Sequence, residues 1–236
     1  MKNETNLNTI TAHLQATLAR IADAVTKADR GHDTVQLIAV SKAQPAIALR
    51  EAFEAGQVAF GENYLQEALN KQHELSDLAI EWHFIGPIQS NKTQAIAQHF
   101  AWVHGVDRLK IAQRLNDARG GKPPLQICIQ VNVSNEDSKS GVLPNEVYAL
   151  AESIGMLPHL NLRGLMAIPE PTNNVELQHQ QFKIVYALLK QLNQQGFVLD
   201  TLSMGMSSDY VVAIAEGATM VRIGSAIFGA RPTKLS

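Results

Sequence analysis

Residues 35–40 form a short β-rich apolar run, and Ser41-Lys42 ends it. A lysine at such a strand end directs its amine toward the mouth of the sheet. Free lysine titrates near 10.4, and desolvating it by roughly three units toward neutrality costs about 4 kcal/mol. That expense is useful where a neutral amine must attack a carbonyl to form a Schiff base. The same placement suits a lysine that snorkels to solvent or pairs with Glu62, and the residues alone leave both open.

Two further segments carry anion-binding chemistry. Gly205-Met206-Ser207-Ser208-Asp209 precedes a short helical stretch, and Arg222-Ile223-Gly224-Ser225 precedes another. Free N–H groups at such helix starts favour a phosphate, although serine is also an ordinary capping residue. Arg222 interrupts the apolar run Met220-Val221-x-Ile223. An unpaired interior guanidinium is costly, so Arg222 requires either a buried carboxylate partner or a ligand. His83, between Trp82 and Phe84, reads as a hydrogen-bonded interior histidine rather than a base, and Cys128, between Ile127 and Ile129, reads as a small core residue.

The elements that must position these groups follow from periodicity. Leu7, Ile10, Leu14, Leu18, Ile21 and Val25 recur at helical steps and end near Gly31. Short apolar runs then alternate with helical patterns. Strands are expected over 35–40, 57–60, 82–85, 102–106, 125–133, 160–168, 201–206 and 220–223. Helices are expected over 45–55, 64–75, 91–100, 108–118, 144–154, 176–195 and 209–215. Eight β-α units in about 200 residues match a (β/α)8 barrel, with a doubly wound sheet as the runner-up. In a barrel the strand C-termini form the active face. That face collects Ser41-Lys42, Glu62-Asn63, Gly86-Pro87, Asn132 with Ser134, Met206-Ser207-Ser208 and Arg222 to Ser225.

Composition restricts the function classes. The 236 residues are 45% apolar and 18% charged, ample for a large core. Lys plus Arg numbers 20 and Asp plus Glu 22, for a net charge of -2 with no basic run, which argues against nucleic-acid binding. The first ten residues lack an apolar leader, and charges interrupt every apolar stretch short of a bilayer span, so a cytoplasmic chain without membrane attachment is expected. A single cysteine excludes an intrachain disulfide and a Cys-based zinc site, and no H-E-x-x-H spacing occurs, so no metal is expected. No linker divides the chain, so 1–236 is expected to be one domain with a helix over 1–31 packed on the barrel.

Seven blocks of sequence extend these readings: Ala39-Val40-Ser41-Lys42, Phe60-Gly61-Glu62-Asn63-Tyr64, Trp82-His83-Phe84-Ile85-Gly86-Pro87-Ile88-Gln89-Ser90-Asn91-Lys92, Ser138-Lys139-Ser140-Gly141, Arg163-Gly164-Leu165-Met166, Ser203-Met204-Gly205-Met206-Ser207 and Val221-Arg222-Ile223-Gly224. In order and spacing, over 35–231, the chain resembles the pyridoxal phosphate homeostasis proteins, relatives of the N-terminal barrel of alanine racemase. The resemblance implies that Lys42 carries pyridoxal 5'-phosphate (PLP) as a Schiff base and that Ser207, Gly224 and Ser225 hold its phosphate. It also implies that Arg222 faces the pyridine nitrogen with Asn63 near the ring. An always-charged arginine keeps that nitrogen unprotonated and weakens the ring as an electron sink.

The implied function is non-enzymatic PLP homeostasis: buffering the cofactor or delivering it to PLP-dependent apoenzymes, with effects on amino-acid and keto-acid balance. The alternative is a PLP-dependent amino-acid racemase. Two-base racemisation requires an acid/base group on each face of the substrate, and in alanine racemase the second comes from a C-terminal β domain. The chain ends a few residues past its last expected strand. The expectation is therefore a binding protein with no catalytic residues, acting as a monomer.

Overall fold

The computed structural model describes residues 4–31, 34–134 and 140–229. Among these, eight strands close into one parallel barrel in chain order, which excludes the doubly wound alternative. The strands are β1 (Gln36–Val40), β2 (Ala59–Glu62), β3 (Glu81–Phe84), β4 (Trp102–Val106), β5 (Leu125–Val131), β6 (Leu160–Ala167), β7 (Thr201–Ser203) and β8 (Met220–Ile223). Nine helices surround or cap them among the described residues: α1 (Glu4–Lys27), α2 (Ala46–Glu54), α3 (Leu65–Glu74), α4 (Thr93–His99), α5 (Leu109–Ala118), α6 (Val147–Gly155), α7 (Val175–Gln194), α8 (Tyr210–Ala215) and α9 (Ser225–Phe228). Single 3-10 turns lead into α4 and α6.

Because successive strand side chains alternate faces, the core divides in two. One cluster, which includes Leu37, Phe60, Phe84, Val103, Ile127, Leu165 and Val221, packs with helical residues such as Leu49, Leu115 and Phe182. The other is a small plug of strand residues, Ile38, Ala59, Trp102, Cys128, Met166 and Met220. This plug lies in the barrel lumen, so the barrel is a packed core rather than a channel. Burial raises the Cys128 thiol to about 12, as befits an inert core residue.

β1 and β8 close the barrel with Ile38 opposite Arg222 and Ala39 opposite Ile223. This register brings the first and last strand ends together, and with them Lys42 and Ser225. Outside that seam α1 packs against α2, α8 and α9. Arg30, just beyond α1, donates to the carbonyls of Ile214 and Ala218 at 2.9 and 2.7 Å.

Several element limits differ from the periodicity reading. Leu18 is an exposed side chain, while Thr17 and Ala24 are buried, so the inward stripe of α1 is rotated from an all-apolar one. β2 begins at Ala59 and runs through Gly61 and Glu62, which read in sequence as the loop beyond it. β5 and β7 end at Val131 and Ser203, short of Val133 and Met206. No helix among the described residues is long and apolar enough to cross a membrane. No cluster of three or more His, Cys, Asp or Glu among them could hold a metal.

Candidate functional site

A cavity of about 330 Å³ opens at the C-terminal ends of the strands, with Val40, Ile85 and Ile168 among its apolar walls. Lys42, Asn63, Ser207, Arg222, Gly224 and Ser225 all line it. Met206, from the expected anion-binding segment, and Gln44 and Gly229, which sequence reasoning did not assign to a ligand, complete the lining. Asn132 is buried, with its Oδ1 accepting from the Ser134 N–H at 3.2 Å, and lies outside this lining. Ser138 and Lys139 lie outside the described residues.

The turn that carries Lys42 is clamped on both sides. Lys71 Nζ donates to the Ser41 carbonyl at 2.7 Å, to Glu62 Oε1 at 2.7 Å and to Glu67 Oε1 at 2.5 Å. Ser41 Oγ donates to Glu62 Oε1 at 2.6 Å, and the Ala43 N–H donates to Glu67 Oε1 at 2.6 Å. Ala43 sits at φ +60°, a left-handed conformation that alanine adopts only when its surroundings hold it. The clamp thus fixes the backbone immediately before and after Lys42. Glu62, weighed from sequence as a partner for Lys42, is fully buried and bound by Lys71 and Ser41. Burial pushes its carboxyl up, with Lys71 and Ser41 opposing.

Asn63 follows β2 and is fixed from behind by Gly86. A Cβ at position 86 would lie 2.4 Å from the Asn63 carbonyl oxygen and 2.8 Å from its Cα, so only glycine permits this approach. Asn63 Oδ1 is buried and has no hydrogen-bond partner among the described residues. On the opposite wall, Asp209 Oδ1 accepts from the Met206 N–H at 2.6 Å and shapes the turn that presents Ser207. Gly224 packs so closely on the end of β1 that a Cβ there would lie 2.9 Å from the Val40 carbonyl oxygen.

Arg222 is the most constrained group. Its Nη1 donates to Ser203 Oγ at 2.7 Å and its Nη2 to the Ala167 carbonyl at 2.9 Å. Both acceptors are neutral, and among the described residues Arg222 makes no salt bridge. The carboxylate partner considered from sequence is therefore absent there. Burial pulls the guanidinium down to about 10, with Asp209 opposing, so it is still a cation at neutral pH. His83 is buried with both ring nitrogens engaged, by His104 at 2.9 Å and Glu81 at 2.8 Å, as an interior histidine should be. Sequence reasoning missed Lys71 and Glu67 beneath the lysine turn and Ser203 and His104 behind Arg222. The available signal was polar residues at inward positions of strands, Trp102-x-His104 and Thr201-x-Ser203.

Residues 5–232 match the family model described as alanine racemase, N-terminal domain. The class is thus a barrel of the alanine racemase N-terminal type. An alanine racemase from Corynebacterium glutamicum shares the fold, with a TM-score of 0.72 at 17% identity over 98% of this chain and 63% of that one. Much nearer is PipY of Synechococcus elongatus, solved with PLP bound: TM-score 0.84, 38% identity, 93% of this chain and 100% of that one. The Pyridoxal phosphate homeostasis protein of Pseudomonas aeruginosa is 60% identical over 226 residues, 95% of this chain and 97% of that one. Its Escherichia coli namesake is 48% identical over 232 residues, 95% and 98% of the two chains. The chain belongs to the pyridoxal phosphate homeostasis protein family.

Proposed function

We propose that the chain binds PLP reversibly on Lys42 and serves PLP homeostasis in the cytoplasm, without turning over a substrate. The observation that carries this reading is Arg222: a buried cation with only neutral acceptors among the described residues, on a cavity that also holds Lys42 and Ser207. Buried charges persist when paired, and a ligand acceptor in the cavity supplies the missing partner. The buried, unpartnered Asn63 Oδ1 and a volume within the usual range for small-molecule sites fit the same occupant.

When bound, PLP supplies an aldehyde for imine formation and an aromatic ring able to withdraw electrons. Lys42 would hold the cofactor through its amine. Ser207, Gly224 and Ser225 hold the phosphate, through the Ser207 hydroxyl and the free N–H groups at the start of α9. Arg222 would face the ring nitrogen as a donor that has no acceptor for a proton, and Asn63 would border the ring. A nitrogen left unprotonated withdraws electrons weakly, and the names of the family members support a carrier over a racemase. The chain would act as one domain and as a monomer, with PLP-dependent apoenzymes as recipients of the cofactor.

Titration of the purified chain with PLP and with pyridoxal tests this reading. PLP is expected to bind with a visible absorption band and pyridoxal to bind at least tenfold more weakly for want of the phosphate contacts. Incubation of the loaded protein with L-amino acids in deuterated water is expected to give no α-proton exchange. Equal binding of the two compounds removes the phosphate assignment, and exchange with net racemisation restores the racemase.

A further inference from the structure

Behind the cavity, the barrel interior contains a continuous string of polar side chains, of which Arg222 alone lines the cavity among the described residues. β3, β4, β7 and β8 each contribute one buried member: His83, His104, Ser203 and Arg222. Glu81 Oε1 lies 2.8 Å from His83 Nε2, and His83 Nδ1 lies 2.9 Å from His104 Nε2. His104 Nδ1 lies 2.7 Å from Ser203 Oγ, which Arg222 Nη1 contacts at 2.7 Å. Glu81 opens β3 at the N-terminal rim of the barrel, with its side chain 40% exposed, so the string runs from the floor to the mouth.

The chemistry of the two ends fixes its direction. A guanidinium can only donate and a carboxylate can only accept, whereas each group between can do one of each. Arg222 donates to Ser203, which obliges the hydroxyl proton to point to His104 Nδ1. His104 must then carry its proton on Nε2 and donate to His83 Nδ1, and His83 donates from Nε2 to Glu81. All four imidazole nitrogens and the Ser203 hydroxyl have partners when both rings are neutral. Burial lowers the proton affinity of both, and for His104 the neighbouring His83 and Arg222 lower it further.

We propose that His83, His104 and Ser203 are positioning residues for Arg222, forming a one-directional hydrogen-bond relay anchored on Glu81 that sets how the guanidinium faces the cofactor ring. The inference rests on the reading of the cavity as a PLP site. Ser203 and the Ala167 carbonyl hold the guanidinium at two points, and the remaining N–H groups are left for the ligand. A hydroxyl whose own proton is committed to His104 accepts more strongly from Arg222 than a free one, because successive hydrogen bonds polarise one another. Loss of Ser203 leaves the guanidinium free to pivot on Ala167.

The test uses the full chain with labelled histidines, studied by nitrogen-proton NMR without PLP and by visible spectroscopy and titration with PLP. In the cofactor-free wild type, both imidazoles are expected to carry slowly exchanging protons on Nε2. Ser203→Ala and His104→Phe are expected to weaken PLP binding by about tenfold and to shift its visible band. His104→Gln, whose amide accepts and donates as the neutral ring does, is expected to return both to near wild-type values. A His104 proton on Nδ1 in the wild type overturns the relay, as do wild-type band and affinity in both breaking variants. A wild-type chain that takes up no PLP overturns the site reading itself and the proposal with it.

Discussion

Acidification of the cofactor-free chain from pH 7 to pH 5 should expose the relay as a loss of stability. His104 is wholly buried beside Arg222 and His83, and its proton affinity lies well below that of an ordinary imidazole. In the unfolded chain the same ring titrates near 6.5. Below that value the unfolded state binds the proton and the folded state does not, so stability falls as the pH falls, until the folded ring protonates in turn. For a histidine that stays neutral in the fold over this range, the proton taken up by the unfolded chain is worth on the order of 2 kcal/mol. Burial raises the Glu62 and Asp209 carboxyls, and these act in the opposite sense in acid. His104→Gln deletes the titration and keeps both hydrogen bonds, and the carboxyls are common to both proteins. Urea unfolding at the two pH values is the assay. The wild type should lose on the order of 2 kcal/mol more than the variant. Equal losses would show that His104 protonates readily in the fold and would refute the neutral relay.

Lys71→Met leaves the Glu62 carboxylate buried without its cation and should destabilise the chain by about 3–5 kcal/mol, read by urea unfolding. Gly86→Ala forces a methyl into the Asn63 backbone and should cost about 1–3 kcal/mol in stability while weakening PLP binding. Ser207→Ala should lower PLP affinity by about 1.5–3 kcal/mol, measured by titration, through loss of one charge-assisted hydrogen bond. Arg222→Leu should leave PLP attached but alter its visible spectrum and proton affinity; an unchanged spectrum removes Arg222 from the ring.

The barrel was legible because parallel strands buried on both faces are short apolar runs, and their spacing with helices is regular. β4 and β8 match their expected limits for this reason. The convergence of Lys42, Arg222 and Ser225 also follows from topology, since each stands at or near the mouth end of a strand. Glu62 was misplaced because Gly-Glu-Asn signals a turn, and only the tertiary contact with Lys71, nine residues on, makes a buried carboxylate tolerable there. Leu18 fell outside the stripe because Thr17 satisfies its hydroxyl on the His13 carbonyl at 2.8 Å and can be buried. The relay was illegible for a plainer reason: His104 and Ser203 are 99 residues apart, and no local pattern encodes their 2.7 Å contact.

Lys42 is the proposed point of covalent attachment for PLP. Borohydride reduction of the PLP-loaded chain, followed by mass mapping of its peptides, tests this directly. A single phosphopyridoxyl adduct on Lys42, absent in Lys42→Ala together with the visible band, is the expected result. An adduct on another lysine, or a Lys42→Ala chain that keeps the band and the reducible linkage, would contradict the account.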